Sequence, residues 1–300
     1  WGMADVAVDS ASSTAVFYHW YLENSYNNYH LNLTLPPGLE QVIAHYPTGG
    51  KAGGNYTTTD GNLIWSFCAN GGIPFVYRAD GQPFGQGRST YMTNVFVPAS
   101  YITGLANART PNTTALFIAQ QARPWLPKSK DSILVLNGYS ADAEVLATVP
   151  PLDRPQGISV RNGWLYALHS ERIVSRLRLD DGLPGQGGWQ TCFAVDESVV
   201  PSPFAIDVGS DGAVYLSDPD VNLLAKLGKS GELLLRFGAT QAEPKPGTYD
   251  RHSLMAPSNF AVWTKAGRAD HIIVVENRGP ARISEWDSAG ARVREWMSPQ

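Results

Sequence analysis

The chain of 300 residues is 43% apolar and only 17% charged, with 29 Gly and 21 Pro spread along it, a composition of many tight turns rather than of a disordered tract. Its formal net charge of −4 argues against a nucleic-acid or anionic-membrane partner, because counterion release at a polyanion needs a basic surface. No apolar run approaches the roughly 18 residues of a membrane span, and the length suits one large all-β domain or two ordinary ones.

The first candidate strand, residues 3–8, is followed by the apolar hexamer AVFYHW at 15–20. Similar hexamers recur down the chain as NLIWSF (62–67), ALFIAQ (115–120), WLYALH (164–169), AVYLSD (213–218) and HIIVVE (271–276). Their starts are 47, 53, 49, 49 and 58 residues apart, a near-even spacing that signals a repeat architecture. In the second and third units Asp60-Gly61 and Ala79-Asp80-Gly81 mark turns, while 97–114 and 122–132 read as insertions. The fourth unit offers strands at 155–160, 165–168, 173–179 and 189–193, with Asn162-Gly163 between the first two.

The fifth unit is the most regular. Residues 204–208 alternate as a half-buried strand does, and Gly209-Ser210-Asp211-Gly212 supplies the residues of a hairpin turn. Further strands are expected at 214–216, 223–227 and 232–237, separated by the Asp- and Asn-rich loop 218–222 and the turn 228–231. The sixth unit opens at 257–262 and closes with 282–286, the turn 287–290, and 292–296. There Arg282, Arg292 and Arg294 alternate with Glu285 and Glu295, which predicts a charged solvent face. Trp286 and Trp296 are expected to pack between this unit and its neighbours.

A sheet that is apolar on both faces must stack, and radial stacking leaves only short protected edges. A linear solenoid would need rungs of about 20–30 residues, and two separate sandwiches would need a linker that the middle of the chain lacks. The expectation is an all-β, six-bladed β-propeller of four-stranded antiparallel blades, one domain over residues 1–300. Its blades fall at approximately 1–50, 51–98, 99–150, 151–198, 199–246 and 247–300, with five or seven open if a looser unit is misread. Each blade would be contiguous in sequence, so closure depends on face packing between the first and last. Alternatively, the chain is one domain of something longer.

The stretch SPFAIDVGSDGAVYLSDPDVNLLAKLGKSGELLLRFG, residues 202–238, resembles an NHL repeat. The shared features are the opening proline, a small-apolar-acid strand, an Asp-Gly turn, an apolar strand ending in Asp, and a Phe-Gly close. The fourth and sixth units and the start of the first are similar more weakly, and 50–150 little. The resemblance implies the propeller and says little about chemistry, since that fold hosts binding modules, lyases and hydrolases alike.

Aligning the hexamers puts Trp20, Phe67, Gln120, His169, Asp218 and Glu276 at the same point of each unit, where the second strand runs into the next loop. In a propeller these loops surround one mouth of the central channel. His19, Glu23, Asn70, Gln121, Arg123, Glu171, Arg172, Asp220, Asn277 and Arg278 lie beside them. Aromatic faces with amides and charges make a surface for a sugar or a peptide. The plainer readings are that Asp218 bonds its own loop, that His169 is a satisfied half-buried histidine, that Glu276-Asn277-Arg278 is a solvated loop, and that Trp20 and Phe67 plug the channel.

The leading expectation is a non-catalytic, extracytoplasmic binding or scaffold propeller that presents Trp20, Phe67, Gln120, His169, Asp218, Glu276, Asn277 and Arg278 to a glycan or protein. One alternative is a polysaccharide- or ester-directed hydrolase or lyase at the channel mouth, with His169, Asp218, Glu276 and Arg172 as acid–base candidates. Another is a structural subunit of a larger assembly. No G-x-S-x-G, H-E-x-x-H, P-loop or dinucleotide fingerprint occurs. His30, His45, His252 and His271 are scattered, so no cofactor is expected, although a Ca²⁺ held in the channel by carbonyls and an Asp would leave little trace.

Cys68 and Cys192 fall in units that are not neighbours and are expected as free thiols. The start at Trp1 without a leader points to a removed signal peptide or an excised piece. The sequons at Asn32, Asn55 and Asn112 are short enough to arise by chance and count only in a eukaryotic secretory chain; an extracytoplasmic or secreted location is the expectation.

Overall fold

The computed structural model describes residues 2–11, 13–20, 26–32, 42–47, 55–68, 75–79, 100–123, 125, 129–140, 144–238, 252–264, 269–277 and 282–297. Throughout these the chain is all-β, and no helix is long and apolar enough to cross a membrane.

The first sheet holds β1 (Gly2–Asp9), β2 (Thr14–Trp20), β3 (Tyr26–Asn32) and β4 (Val42–Pro47). The second holds β5 (Asn55–Thr59), β6 (Leu63–Cys68) and β7 (Phe75–Arg78). The third holds β8 (Ser100–Arg109), β9 (Thr114–Ala122), β10 (Ser132–Asn137) and β11 (Val145–Thr148). The fourth holds β12 (Pro155–Arg161), β13 (Trp164–His169), β14 (Ile173–Asp180), the short β15 (Leu183–Pro184) and β16 (Gln190–Ala194). The fifth holds β17 (Ala205–Val208), β18 (Val214–Asp218), β19 (Leu223–Leu227) and β20 (Leu233–Phe237). The sixth holds β21 (Pro257–Thr264), β22 (Asp270–Glu276), β23 (Arg282–Asp287) and β24 (Arg292–Met297). Four of the sheets are complete four-stranded meanders in chain order, and the arrangement is propeller-like.

The period-2 side-chain alternation of strands is spent on two seams at once. In β13, Leu165 and Ala167 pack toward the third sheet, while Tyr166 and Leu168 pack toward the fifth. Apolar clusters likewise fill the second–third, fifth–sixth and sixth–first seams. Trp286 joins the cluster toward the fifth sheet and Trp296 packs toward the first, as expected from sequence. The first strands neighbour one another in the order β1, β5, β8, β12, β17 and β21, and β21 returns to β1.

Residues 97–114, read from sequence as an insertion, contain β8 and its hairpin instead. The strand was hard to recognise because, Ile102 apart, its buried positions are small: Gly104, Ala106 and Ala108. A Cβ on Gly104 would stand 3.0 Å from the Ile158 amide nitrogen, so the close approach of β8 to β12 favours glycine there. The charged pattern of the sixth sheet also differs from expectation. Arg282 and Glu285 are buried, and the side chains of Arg292 and Arg294 are only 4% and 7% exposed. The charges are paired in the interior rather than displayed on a solvent face.

Candidate functional site

The meander topology brings the starts of the first strands and the loops after the second strands to the same end of the sheets, and the first hairpins to the opposite end. Trp20, Gln120, His169, Asp218 and Glu276 stand at the second-strand termini or within two residues of them, and Phe67 one residue short of Cys68. For Trp20 and His19 only the backbone is described; Glu23, Asn70 and Arg278 lie outside the described residues. The other five ring side chains are buried within the sheets, so they do not open onto a mouth. Phe67 belongs to the second–third apolar cluster.

The polar members act as latches. Asp218 accepts from the amides of Ser202, at 2.6 Å, and Asp220, at 3.1 Å, which ties the incoming connection to the end of β18. Glu276 accepts from the Met255 amide at 2.7 Å and from Arg282 at 2.8 Å, and receives the Ser284 hydroxyl. Gln120 Oε1 accepts from Ser132 at 3.3 Å. The plainer reading of Glu276 as part of a solvated loop is corrected: it is fully enclosed, because Arg282 stands directly across the ladder from it.

His169 sits 3.1 Å from Ser170 Oγ and 2.9 Å from Ser175 Oγ. Burial holds its imidazole below the usual histidine range, opposed by the Asp153 charge, so the neutral ring is favoured. Ser170 in turn donates to Asp153 Oδ2 at 3.1 Å. His169, Asp218 and Glu276 therefore belong to separate local networks, and no hydrogen bond joins one to another.

The residues beside the ring are more accessible. Gln121 donates to the Pro155 carbonyl at 3.0 Å, and the Arg123 guanidinium stacks 4.1 Å from the Tyr101 ring centroid. Glu171 pairs with Arg154 at 2.6 Å with both side chains exposed, a contact worth little. Arg172 donates to the carbonyls of Val200 and Pro201. Asn277 donates to Ser258 Oγ at 2.7 Å, and Asp220 is exposed. Three large apolar side chains that the hexamer alignment missed are also exposed at this end: Trp125 at 65%, edge-on to Tyr101, Val221 at 50% and Phe204 at 42%. Their sequence signal is an apolar residue stranded among turn formers, as in Asp218-Pro219-Asp220-Val221-Asn222 and Pro203-Phe204.

A second polar region lies inside the ring of first strands, which enclose a cavity of about 380 Å³. Asp5 accepts from the amides of Thr57, at 2.5 Å, and Val6, at 2.8 Å. Burial pushes its carboxyl up to about 8 despite those two bonds. Burial, and then the charge of Asp5, raises the Tyr56 phenol as well. Asp207 accepts from Ser159 Oγ at 2.5 Å, the Val208 amide at 2.8 Å and the Val262 amide at 2.6 Å, clasping the fourth, fifth and sixth sheets together. Burial raises it too, opposed first by the Arg161 charge.

Both carboxylates accept from backbone amides, and Asp207 accepts from a hydroxyl as well. Among the described residues no three His, Cys, Asp or Glu gather around one point. Cys192 is a free thiol, and only the backbone of Cys68 is described.

No family model matches the chain, and no curated protein is similar to it in sequence. Solved structures are similar in fold. A calcium-binding regucalcin from Agrobacterium tumefaciens aligns with TM-score 0.58 and 15% identity over 92% of this chain and 82% of its own. A chain of the nidogen/laminin complex aligns with TM-score 0.53 and 14% identity over 78% and 79%. A luciferin-regenerating enzyme aligns with TM-score 0.56 and 13% identity over 92% and 84%. At such identities the likeness is one of fold, and the neighbours include binding proteins and enzymes.

Proposed function

We propose that the chain is a non-catalytic binding propeller of six NHL-like blades that presents the loop end of its sheets to a protein partner outside the cytoplasm. The observation that carries this reading is a contrast at one end of the molecule. The acid–base candidates His169, Asp218 and Glu276 are enclosed and spent on local bonds, while Trp125, Phe204 and Val221 are exposed beside them. Exposed aromatic and aliphatic side chains within a rim of paired charges are the composition of a protein-binding surface. A glycan site would instead need free polar groups converging around them, and Gln121, Arg154, Glu171 and Arg172 are already engaged. One fold neighbour was solved as a protein–protein complex, which is compatible with this use of the fold.

The test is site-specific photo-crosslinking. A photoreactive residue at position 125 or 204 is expected to capture a partner protein that the same group at position 178, on the outer part of the fourth sheet, does not. Equal capture from all three positions, or none from 125 and 204, refutes the assignment.

A further inference from the structure

We propose that the hairpin end of the channel binds a small oxyanion, a carboxylate or a phosphate, through Arg161 and Arg109. Both arginines close first strands, β12 and β8, which are neighbours, and both line the cavity. Each donates to a neutral oxygen. Arg109 Nη2 bonds the Asp60 carbonyl at 2.8 Å. Arg161 Nη2 bonds Thr264 Oγ1 at 2.5 Å, reaching from the fourth sheet to the sixth past the fifth. Neither arginine forms an ion pair among the described residues. The Nε–H of Arg161 is buried and has no hydrogen-bond partner.

A guanidinium does not shed its proton, and although the Asp207 charge acts on Arg161, the buried Nε–H still lacks an acceptor, which carries an uncompensated cost. The carboxylates at this end are turned elsewhere. Asp9 Oδ1 accepts from the Ala11 amide at 3.2 Å. Asp60 accepts from the amides of Asn62 and Leu63 and from the hydroxyls of Thr114 and Tyr139. Asp207 holds Ser159, Val208 and Val262. An oxyanion seated on the Arg161 Nε–H would supply the missing acceptor in the planar geometry that guanidinium favours. The Thr58 hydroxyl, which accepts from Asn107 Nδ2 at 2.7 Å, keeps a donor on the cavity wall, and a cavity of about 380 Å³ limits the ligand to a small molecule. This site is at the opposite end of the sheets from the loop surface and stands independently of it.

The experiment titrates the purified chain with succinate and, separately, inorganic phosphate by isothermal calorimetry, with ionic strength held constant by chloride. Saturable binding of at least one anion is expected, weakened roughly tenfold or more in both Arg161→Gln and Arg109→Gln. It should be unchanged in Arg178→Gln, an exposed arginine outside the cavity. The anion that binds identifies the head group. If Arg161→Gln fails to melt cooperatively, the exposed Arg109→Gln carries the comparison alone. Failure of both anions to bind saturably, or binding that the cavity variants leave intact, overturns the proposal.

Discussion

The fifth and sixth sheets carry the same latch built from different chemistry. At the end of β18 the acid is Asp218, and across the ladder stands Leu223. Two residues further along the third strand is Ala225, so this short carboxylate meets only backbone amides. At the end of β22 the acid is Glu276, opposite Arg282, with Ser284 two residues on. One methylene more lets that carboxylate reach a guanidinium and a hydroxyl besides the incoming amide. The fourth sheet follows the sixth: His169 faces Ile173 and reaches Ser175, again two residues on. The position of the latch is thus set by the meander, while the third strand determines which side chain it needs.

That difference predicts unequal sensitivity. Glu276→Gln leaves Arg282 enclosed with only the longer 3.8 Å contact to Glu295 and is expected to cost about 3 kcal/mol in denaturant unfolding. A triple replacement, Glu276→Asp with Arg282→Leu and Ser284→Ala, rebuilds the fifth-sheet latch and should recover most of that loss. Recovery of none would show that the two latches are not equivalent. Asp218→Ala removes acceptors from two amides and should cost about 1–3 kcal/mol.

Asp5 sharpens the contrast through pH. Its folded-state carboxyl is raised from 3.8 to about 8, so between those values the folded chain binds more protons than the unfolded one, and stability falls as pH rises. Asp5→Asn should flatten the stability profile between about pH 5 and 8; an unaltered slope would place the titration elsewhere. The smallest effect belongs to the exposed Arg154–Glu171 pair. Arg154→Ala is expected to leave the unfolding midpoint unchanged within error.

The repeat was legible because the described side chains of the second strands are mostly buried. Runs such as Val214-Tyr215-Leu216 and Ile272-Ile273-Val274 cannot be other than interior. The first strand of the third sheet was obscured because close approach of β8 and β12 demands small residues, which leave almost no apolar signal. The interior charges of β23 and β24 were misread because a single sequence shows alternation but not pairing. Arg282 is enclosed by Glu276, the Ser253 carbonyl and Glu295, all supplied by other segments. At the candidate surface the equivalence of the second-strand ends could be read from spacing, whereas their burial could not. Burial arises when the connection from the preceding sheet folds over the strand end, as when the Asn277 amide donates to the carbonyls of Met255 and Ala256.

The division between enclosed latches and exposed neighbours is tested most directly by measuring melting temperature and partner capture on the same two variants, Asp218→Ala and Trp125→Ala. Asp218→Ala is expected to melt several degrees lower and, while folded, to capture the crosslinked partner normally. Trp125→Ala is expected to melt as the parent does and to lose capture. The reverse pattern, with binding lost at Asp218 and retained at Trp125, would contradict the assignment of the loop surface.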